Sequence, residues 1–214
     1  MTSITYPFTE KQVRALKVGD AVSITGRIYT GRDKFHKYFA EGGKLPVDFK
    51  DGAIYHCGPV VVRMKNEELR MKNGAEQGAR SVPDRADESA WQVVAAGPTT
   101  SVRENAYEPA FIAKSGVRLV IGKGGMDDGV LKAMRKHGAV YIQAVGGAAA
   151  ISAAAVKKVA GVSLLDEFGA AEAVWHFDVV DFRGVVAMDA HGNSLFERVR
   201  RDSVAQLREL AGLS

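Results

Sequence analysis

Apolar and polar positions along this chain follow two periods, one typical of helices and one typical of strands. Segment 9–12 fits a capping box ahead of Val13, which predicts a short opening helix. Over 22–28 apolar residues alternate with polar ones, the pattern of a strand with one buried face. Asp33 is placed to cap a second helix, which the Gly-Gly pair at 42–43 should end. The beginning of the chain therefore predicts helix, strand and helix in that order.

The same alternation of strand and helix patterns continues almost to the end. Apolar runs that predict strands lie at 53–57, 60–62, 91–96, 117–121, 139–143, 173–182 and 185–188, and we expect the run at 91–96 to be buried. Helical patterns lie at 109–115, at 127–137, through an Ala-rich segment to 158, and from 202 onward. Gly58-Pro59 should bend the chain or switch it between two strands. The alternation predicts an α/β fold.

We interpret residues 1–214 as one domain, because no Gly/Ser-rich or Pro-rich linker divides the chain. Segment 64–90 differs in composition, since it carries many charged and few apolar residues. A connection of this length predicts a polar excursion from the domain. It could serve as a lid over a site or as a loop that binds a partner, although its composition favours a mobile excursion.

Charge and cysteine content exclude several classes of protein. The chain has 29 Lys and Arg against 25 Asp and Glu, a mixed surface with a net charge of +4. The basic run 198–201 has no interleaved aromatic residues, so we expect no nucleic-acid partner. The single cysteine, Cys57, excludes an internal disulfide and a Cys-rich metal site. We also expect a cytoplasmic protein, because we find neither an apolar signal core at the N-terminus nor a membrane-spanning run.

Two glycine-containing loops carry the most unusual chemistry. Segment 97–103, Gly-Pro-Thr-Thr-Ser-Val-Arg, joins a predicted strand to a helix and offers hydroxyls, backbone N–H groups and Arg103 to a small anion. Its hydroxyls could instead cap the next helix. Lys123 lies in Gly-Lys-Gly-Gly-Met, but Gly116 and Gly124 do not fit a nucleotide-binding loop. We therefore expect Lys123 to bind a small anion as well.

Several single residues remain open to more than one interpretation. Arg32 follows a strand and His36 lies in the next helix, where local pattern favours a surface cation and a helix-face histidine. His56 and Cys57 are neighbours in a strand and should face opposite sides, which argues against a Cys-His pair. His191 could be catalytic, but a histidine before Gly-Asn is more typical of a turn.

Taken in order, these motifs resemble the C-terminal domain of class I fumarases, equivalently the β subunit of L(+)-tartrate dehydratase, over nearly the whole chain. The resemblance is carried by Gly19-Asp20, Arg32-Asp33 with His36, Gly58-Pro59, segment 97–103, segment 122–126 and Asp-Ala-His-Gly-Asn at 189–193. It implies a swivelling β/β/α domain. It also implies an enzyme that adds or removes water across a four-carbon dicarboxylate with an iron-sulfur cluster as Lewis acid.

The resemblance also implies roles for individual residues and for a partner. Arg32, Arg103 and Lys123 match binders of substrate carboxylate or hydroxyl groups, and Thr99 matches the base for the carbon-bound proton. The [4Fe-4S] cluster is expected on an α subunit in a heterotetramer, with no metal bound by this chain. The substrate is expected to be fumarate and malate; tartrate or a methylated relative are the alternatives. A different class remains open, a small-anion-binding domain without catalysis.

Overall fold

Seven of the nine strands in the described part of the chain form one sheet. The computed structural model describes residues 1–64 and 91–212, so the polar excursion predicted at 64–90 lies outside the described residues except for Met64. The strands are β1 Thr2–Thr5, β2 Ala21–Thr30, β3 Ala53–Tyr55, β4 Val60–Arg63, β5 Trp91–Ala95, β6 Leu119–Gly122, β7 Val140–Gln143, β8 Val156–Ser163 and β9 Val174–Met188. The sheet has the order β1-β2-β3-β6-β7-β9-β8, and β4 pairs with β5 in a separate two-stranded sheet.

Strand direction places one group of loops at a common edge. Strands β1, β2, β3, β6 and β7 are parallel to their neighbours, whereas β9 runs antiparallel to β2, β7 and β8. Because β2 pairs with β9 as well as with β3, strands β2, β3, β6, β7 and β9 form a closed circuit of hydrogen-bonded neighbours. The carboxyl ends of the parallel strands therefore meet at one edge, which is where open α/β sheets commonly bind ligands.

Helices connect these strands. They are α1 Glu10–Ala15, α2 Asp33–Ala40, a 3₁₀ helix at Ser101–Glu104, α3 Glu108–Ser115, α4 Asp128–His137, α5 Ala149–Ala155, α6 Leu165–Phe168 and α7 Leu195–Leu210. None of the helices in the described ranges has the length and apolar character needed to cross a membrane.

Alternation along the strands divides the core into two clusters. Ala53 and Tyr55 of β3 belong to a cluster that includes Trp175, whereas Ile54 belongs to a second cluster beneath α2, α3 and α4. Burying side chains on both faces of the sheet stabilises the fold by about 1.5–3 kcal/mol for each large apolar residue. The second cluster also contains Phe35 of α2, so this helix is anchored to the sheet beside the carboxyl edge.

Several predicted elements are confirmed. Thr9 and Gln12 form the capping box of α1, and Gly116 ends α3 in the left-handed conformation, with φ 70°. Asp127 caps α4 by accepting a hydrogen bond from the N–H of Val130 at 3.0 Å. The Gly58-Pro59 step separates β3, in the main sheet, from β4, in the small one. Local signals of this kind identified the helix ends and the change of sheet correctly.

Other predictions are wrong at element boundaries. The N-cap of α2 is Arg32, not Asp33, whose carboxylate bonds to an arginine of another element. The Ala-rich helix ends at Ala155 and the chain continues as β8, because β9 offers an edge with which this segment pairs. The two strands expected at 173–182 and 185–188 are one strand, β9, which passes through Asp181 at φ 55°. Helix α7 starts at Leu195 rather than 202, and β5 is only partly buried.

Candidate functional site

The carboxyl edge of the sheet brings separate parts of the chain together. Arg32 follows β2, His56 and Gly58 follow β3, and Lys123 follows β6. Because β2, β3 and β6 are parallel neighbours, all of these residues lie at the same edge. Of the sequence-predicted residues, Arg32 and Lys123 therefore come from strands that flank β3 on its two sides.

Thr99 lies in a loop that is bonded to this edge through the backbone. The N–H of Thr99 donates to the carbonyl of His56 at 2.6 Å, and its carbonyl accepts from the N–H of Lys123 at 3.2 Å. The N–H of Ser101 donates to the carbonyl of Lys123 at 2.9 Å. Thr100, the N-cap of the 3₁₀ helix, makes no side-chain capping bond, so the capping alternative fails there. The loop is held between the extensions of β3 and β6.

The side chains of Thr99 and Lys123 are both half-buried at this edge. Among the residues that the structure describes, neither the Thr99 hydroxyl nor the Lys123 ammonium has a hydrogen-bond or ion-pair partner within the chain. The Lys123 loop is fixed by a hydrogen bond of 3.1 Å from the N–H of Gly124 to Gln143 Oε1. A fixed cation without a counter-ion can bind an anion without first breaking an internal ion pair.

Arg32 is partly engaged and closely enclosed. Its Nη1 lies 3.5 Å from Glu172 Oε1 and 3.5 Å from the carbonyl of Ala171, while its Nε is buried without a hydrogen-bond partner. A Cβ at Gly58 would lie 2.3 Å from Arg32 Nη1, so a larger residue would displace the guanidinium. The glycine of the Gly-Pro step is thus required by the close approach of Arg32, and the surface-cation interpretation does not describe this residue fully.

Arg103 is exposed and forms an ion pair with Asp33 at the start of α2. The two residues contribute to a surface recess of about 480 Å³ that Lys34, Lys37, Tyr107 and Glu172 also line. Glu172 is in addition the partner of Arg32. The carboxylate partners of the two arginines, Asp33 and Glu172, thus line the same recess. Thr99 and Lys123, in contrast, are hydrogen-bonded to each other directly through the backbone.

Glu104 lies buried behind this ion pair. Burial, together with the nearby Asp33 carboxylate, raises the pKa of Glu104 to about 8, with Arg103 opposing the shift. At neutral pH the Glu104 carboxyl is therefore mostly protonated.

A cluster of buried polar side chains lies directly under the Thr99 loop, and sequence reasoning missed it. Its members are His36, His56, Ser101, Glu108 and Tyr141, and the side chains of both histidines and Glu108 are fully buried. His36 does lie on a face of α2, as predicted, but that face is buried because α3 covers α2 on that side. No local pattern could show this, since the members come from five separate segments; the polar residue directly after β3 was the only available signal.

Metal and cofactor ligands are few in this chain. Within the described residues, one group could hold a metal ion, His36, His56 and Glu108, whose ligand atoms lie within 4.8 Å of one another. An iron-sulfur cluster needs a set of thiolates, and the chain has only Cys57. Burial raises the pKa of the Cys57 thiol to about 12, against the opposing effect of Arg32, so it stays protonated. The residues of this chain do not fit such a cluster.

The remaining sequence candidates lie apart from one another. Cys57 packs in the first core cluster while the His56 ring faces Ser101, so the two side chains face different sides as predicted. His191 follows β9, whose antiparallel direction places it at the opposite edge, where its Nε2 lies 2.9 Å from the carbonyl of Arg14. The structure does not bring His191 to the candidate site.

Comparison with known proteins identifies relatives over almost the entire sequence. The profile of the family described as "Fumarase C-terminus" matches residues 2–77 and 82–199. A protein of Geobacillus stearothermophilus, provisionally named a class I fumarate hydratase, is 47% identical over 203 residues, which are 95% of this chain and 35% of that protein. The chain thus spans about a third of that relative's length.

Two relatives have lengths closer to that of this chain. A protein of Methanocaldococcus jannaschii, provisionally named L(+)-tartrate dehydratase subunit beta, is 40% identical over 210 residues, 96% of each chain. The L(+)-tartrate dehydratase subunit beta of Escherichia coli is 32% identical over 194 residues, 90% of this chain and 85% of that protein. The family profile matches most of the residues, and the relatives at 32–47% identity are named as class I fumarate hydratase or tartrate dehydratase subunit beta. The chain therefore belongs to the fumarase C-terminal family.

Proposed function

We propose that this chain, acting as one domain of the swivelling β/β/α type, is the β-type subunit of an iron-sulfur-dependent hydro-lyase. Its substrate would be a four-carbon dicarboxylate, with hydration of fumarate and dehydration of malate as the reaction. Arg32, Arg103 and Lys123 would bind the substrate, and Thr99 would take the carbon-bound proton. The single observation that carries the proposal is the backbone contact between Thr99 and Lys123 at one sheet edge, where the Thr99 hydroxyl and the Lys123 ammonium have no partner among the residues that the structure describes.

The electrostatics of this edge support a dianionic ligand. Lys123 has no internal counter-ion among the described residues, and the Nε of Arg32 is buried without a partner. Arg103 lies in the recess whose other members include the partner of Arg32. Carboxylates of a bound ligand would complete these hydrogen bonds, and charge-assisted bonds of this kind contribute about 1.5–3 kcal/mol each.

The same groups suit the proton transfer. Removing a proton beside a carboxylate concentrates negative charge on that carboxylate in the transition state, and fixed cations stabilise this charge more than they stabilise the ground state. Thr99 can act as the base because its backbone is bonded to His56 on one side and to Lys123 on the other, which holds the residue in place at the sheet edge. The Lys123 ammonium would in turn favour the ionised form of the Thr99 hydroxyl.

The cluster would have to come from another chain. Because this chain cannot ligate it, we place the [4Fe-4S] cluster on an α subunit, with two copies of each subunit in a heterotetramer. The loop edge that carries Thr99 and Lys123 would then face the α subunit, and the substrate would lie between the two chains. The names of the Methanocaldococcus jannaschii and Escherichia coli relatives, which describe beta subunits, support a partner of this kind.

The decisive experiment reconstitutes the chain with its cluster-bearing partner and measures fumarate hydration and tartrate dehydration separately. Lys123→Ala should lower kcat/KM by about ten- to a hundredfold, the kinetic equivalent of one charge-assisted bond. Lys132→Ala is the matched control, because Lys132 is an exposed lysine on the following helix α4. Turnover of tartrate without fumarate would replace the substrate assignment by its alternative, and equal kinetics in both variants would refute the site.

A second measurement separates the subunit from a simple binding domain. The dissociation constant between the two chains should fall when a four-carbon dicarboxylate is present, because a ligand that contacts both chains favours their association. A monocarboxylate of similar size is the control. If the dicarboxylate binds this chain alone and leaves the association unchanged, a small-anion-binding domain without catalysis is the better assignment.

A further inference from the structure

His56 contacts the Thr99 loop through both its backbone and its ring, and it is not among the residues to which the proposed function gives a role. Its backbone carbonyl accepts the N–H of Thr99 at 2.6 Å. Its ring Nδ1 lies 2.8 Å from Ser101 Oγ, two residues further along the loop. His56 therefore holds the loop at both ends of the Thr99–Ser101 step, once through the main chain and once through the side chain.

Ser101 connects this contact to the Lys123 loop. Its hydroxyl also accepts a hydrogen bond from the Tyr141 hydroxyl at 2.9 Å, and its N–H donates to the carbonyl of Lys123. Ser101 is fully buried and lies against Gly122, where a Cβ would be 1.9 Å from Ser101 Oγ. The hydroxyl thus has no access to a substrate, and its contacts can serve only to fix neighbouring groups.

Behind His56 lies a buried carboxylate within ion-pair distance of the ring. Glu108 Oε2 is 3.3 Å from His56 Nε2 and 3.6 Å from His36 Nε2, and all three side chains are inaccessible to solvent. His56 is the nearer of the two rings to this carboxylate, so a change at Glu108 acts on the His56 ring first.

We propose that His56 is a positioning residue for Thr99, with Glu108 fixing the His56 ring and Ser101 transmitting its position to the loop. The inference rests on the proposed function, in which the Thr99 hydroxyl takes a proton. A base must be held within a fraction of an ångström of the productive position, and displacements of about 1 Å can cost a hundredfold in rate. This positional constraint on the loop comes from the buried side chains beneath it, namely Glu108, His56 and Ser101. The ligand does not reach these side chains.

The test compares two histidines that face the same carboxylate. In the reconstituted complex, His56→Gln should lower kcat at least tenfold while KM changes less than threefold, because Arg32, Arg103 and Lys123 keep their places. His36→Gln is the matched control, since His36 faces Glu108 but makes no hydrogen bond to the loop. It should keep kcat within about twofold of the parent enzyme, whatever it costs in stability. Equal loss of kcat in both variants would overturn the proposal.

Two conservative variants cover the case in which His56→Gln does not fold. Ser101→Ala removes the hydroxyl that links His56 to the loop and should reproduce the loss of kcat. Tyr141→Phe removes the hydroxyl that donates to Ser101 and leaves the contact between His56 and Ser101 intact. The decrease in log kcat should therefore be less than a third of the decrease that Ser101→Ala causes. Glu108→Gln should retain more activity than Glu108→Leu, since glutamine keeps a polar oxygen facing His56 Nε2 and leucine does not.

Amide hydrogen exchange separates this inference from the proposed function. In the full chain, His56→Gln or Ser101→Ala should speed exchange of the Thr99 and Ser101 amides at least tenfold, and His36→Gln should not. If the parent complex has no hydro-lyase activity, the proposed function fails while these rates still decide the positioning role. Unchanged exchange at Thr99 would overturn it. One tightly bound metal ion per chain, lost on replacing Glu108, would also overturn it by assigning the three buried groups to coordination.

Discussion

Replacing Gly122 by alanine should destabilise the chain through one identifiable contact. The added methyl group would lie 1.9 Å from Ser101 Oγ, 3.1 Å from the Tyr141 hydroxyl and 3.3 Å from His56 Nδ1. Overpacking a buried site costs about 1–3 kcal/mol. Displacing a buried hydroxyl from its hydrogen bonds costs about 1 kcal/mol more. Alanine restricts the unfolded chain more than glycine does, which offsets about 0.4–1 kcal/mol of this cost. We therefore expect a net loss of about 2 kcal/mol in the free energy of unfolding.

Urea unfolding followed by circular dichroism measures this loss from the shift in midpoint at constant slope. Gly146→Ala is the matched control, because Gly146 also follows a parallel strand at this edge but its nearest neighbour would be Lys123 Cδ at an ordinary 3.7 Å. Its effect should stay within about 0.5 kcal/mol.

A double-mutant cycle isolates the contact itself. Ser101→Ala removes the oxygen that the new methyl group would strike, so the Ser101→Ala, Gly122→Ala double variant should be at least about 1 kcal/mol more stable than the sum of the single effects predicts. Strict additivity would show that the two residues do not press against each other. If Gly122→Ala leaves the free energy of unfolding unchanged, Gly122 is not packed tightly against Ser101 and the predicted overpacking is refuted.

Three further predictions concern Glu104, Cys57 and Gly58. Because folding raises the pKa of Glu104 from its usual 4.5 to about 8, the stability this carboxyl contributes is complete below pH 4.5 and is lost as pH rises through 8. In urea titrations at several pH values, Glu104→Gln should therefore reduce the pH dependence of the free energy of unfolding over this interval, and an unchanged pH dependence would contradict this prediction. Cys57, 1% exposed with a pKa of about 12, should react with a thiol reagent at pH 8 at least about a hundredfold more slowly in the folded than in the urea-unfolded chain; equal rates would show an open site. Gly58→Ala should displace Arg32 and raise the KM for the dicarboxylate in the reconstituted complex about tenfold, as Arg32→Ala should; a normal KM would separate Arg32 from substrate binding.

The parts of the site that the sequence predicts are those written in short local patterns. Glycine-rich loops, adjacent hydroxyls and a lone lysine after an apolar run indicate a loop at a strand end, and the structure places Thr99 and Lys123 in backbone contact there. Helix ends follow from the same kind of signal, as at Thr9 and Gly116. The resemblance to a known family added the roles of these residues, which spacing alone could not give.

What the sequence could not predict depends on partners that lie far apart in the chain. Local pattern places His36 on a helix face, but only the packing of α3 over α2 buries it beside Glu108. Asp33 has the pattern of a helix cap, but its carboxylate is drawn to Arg103. The Ala-rich segment before β8 ends early because β9 supplies an edge for pairing. In each case tertiary contact outweighed local preference.

The closed circuit of strands fixes the distance between the backbones of Arg32 and Lys123. Arg32 and Lys123 leave the sheet on either side of β3, so two strand spacings, about 9–10 Å, separate the backbones from which these cations extend. A circuit without a free edge cannot widen at one strand without straining all the others. Arg103, on a short helix outside the circuit, is free of that constraint. In the proposed site, Arg32 and Lys123 would therefore extend from backbones at a fixed separation, whereas the backbone of Arg103 could change its distance from both.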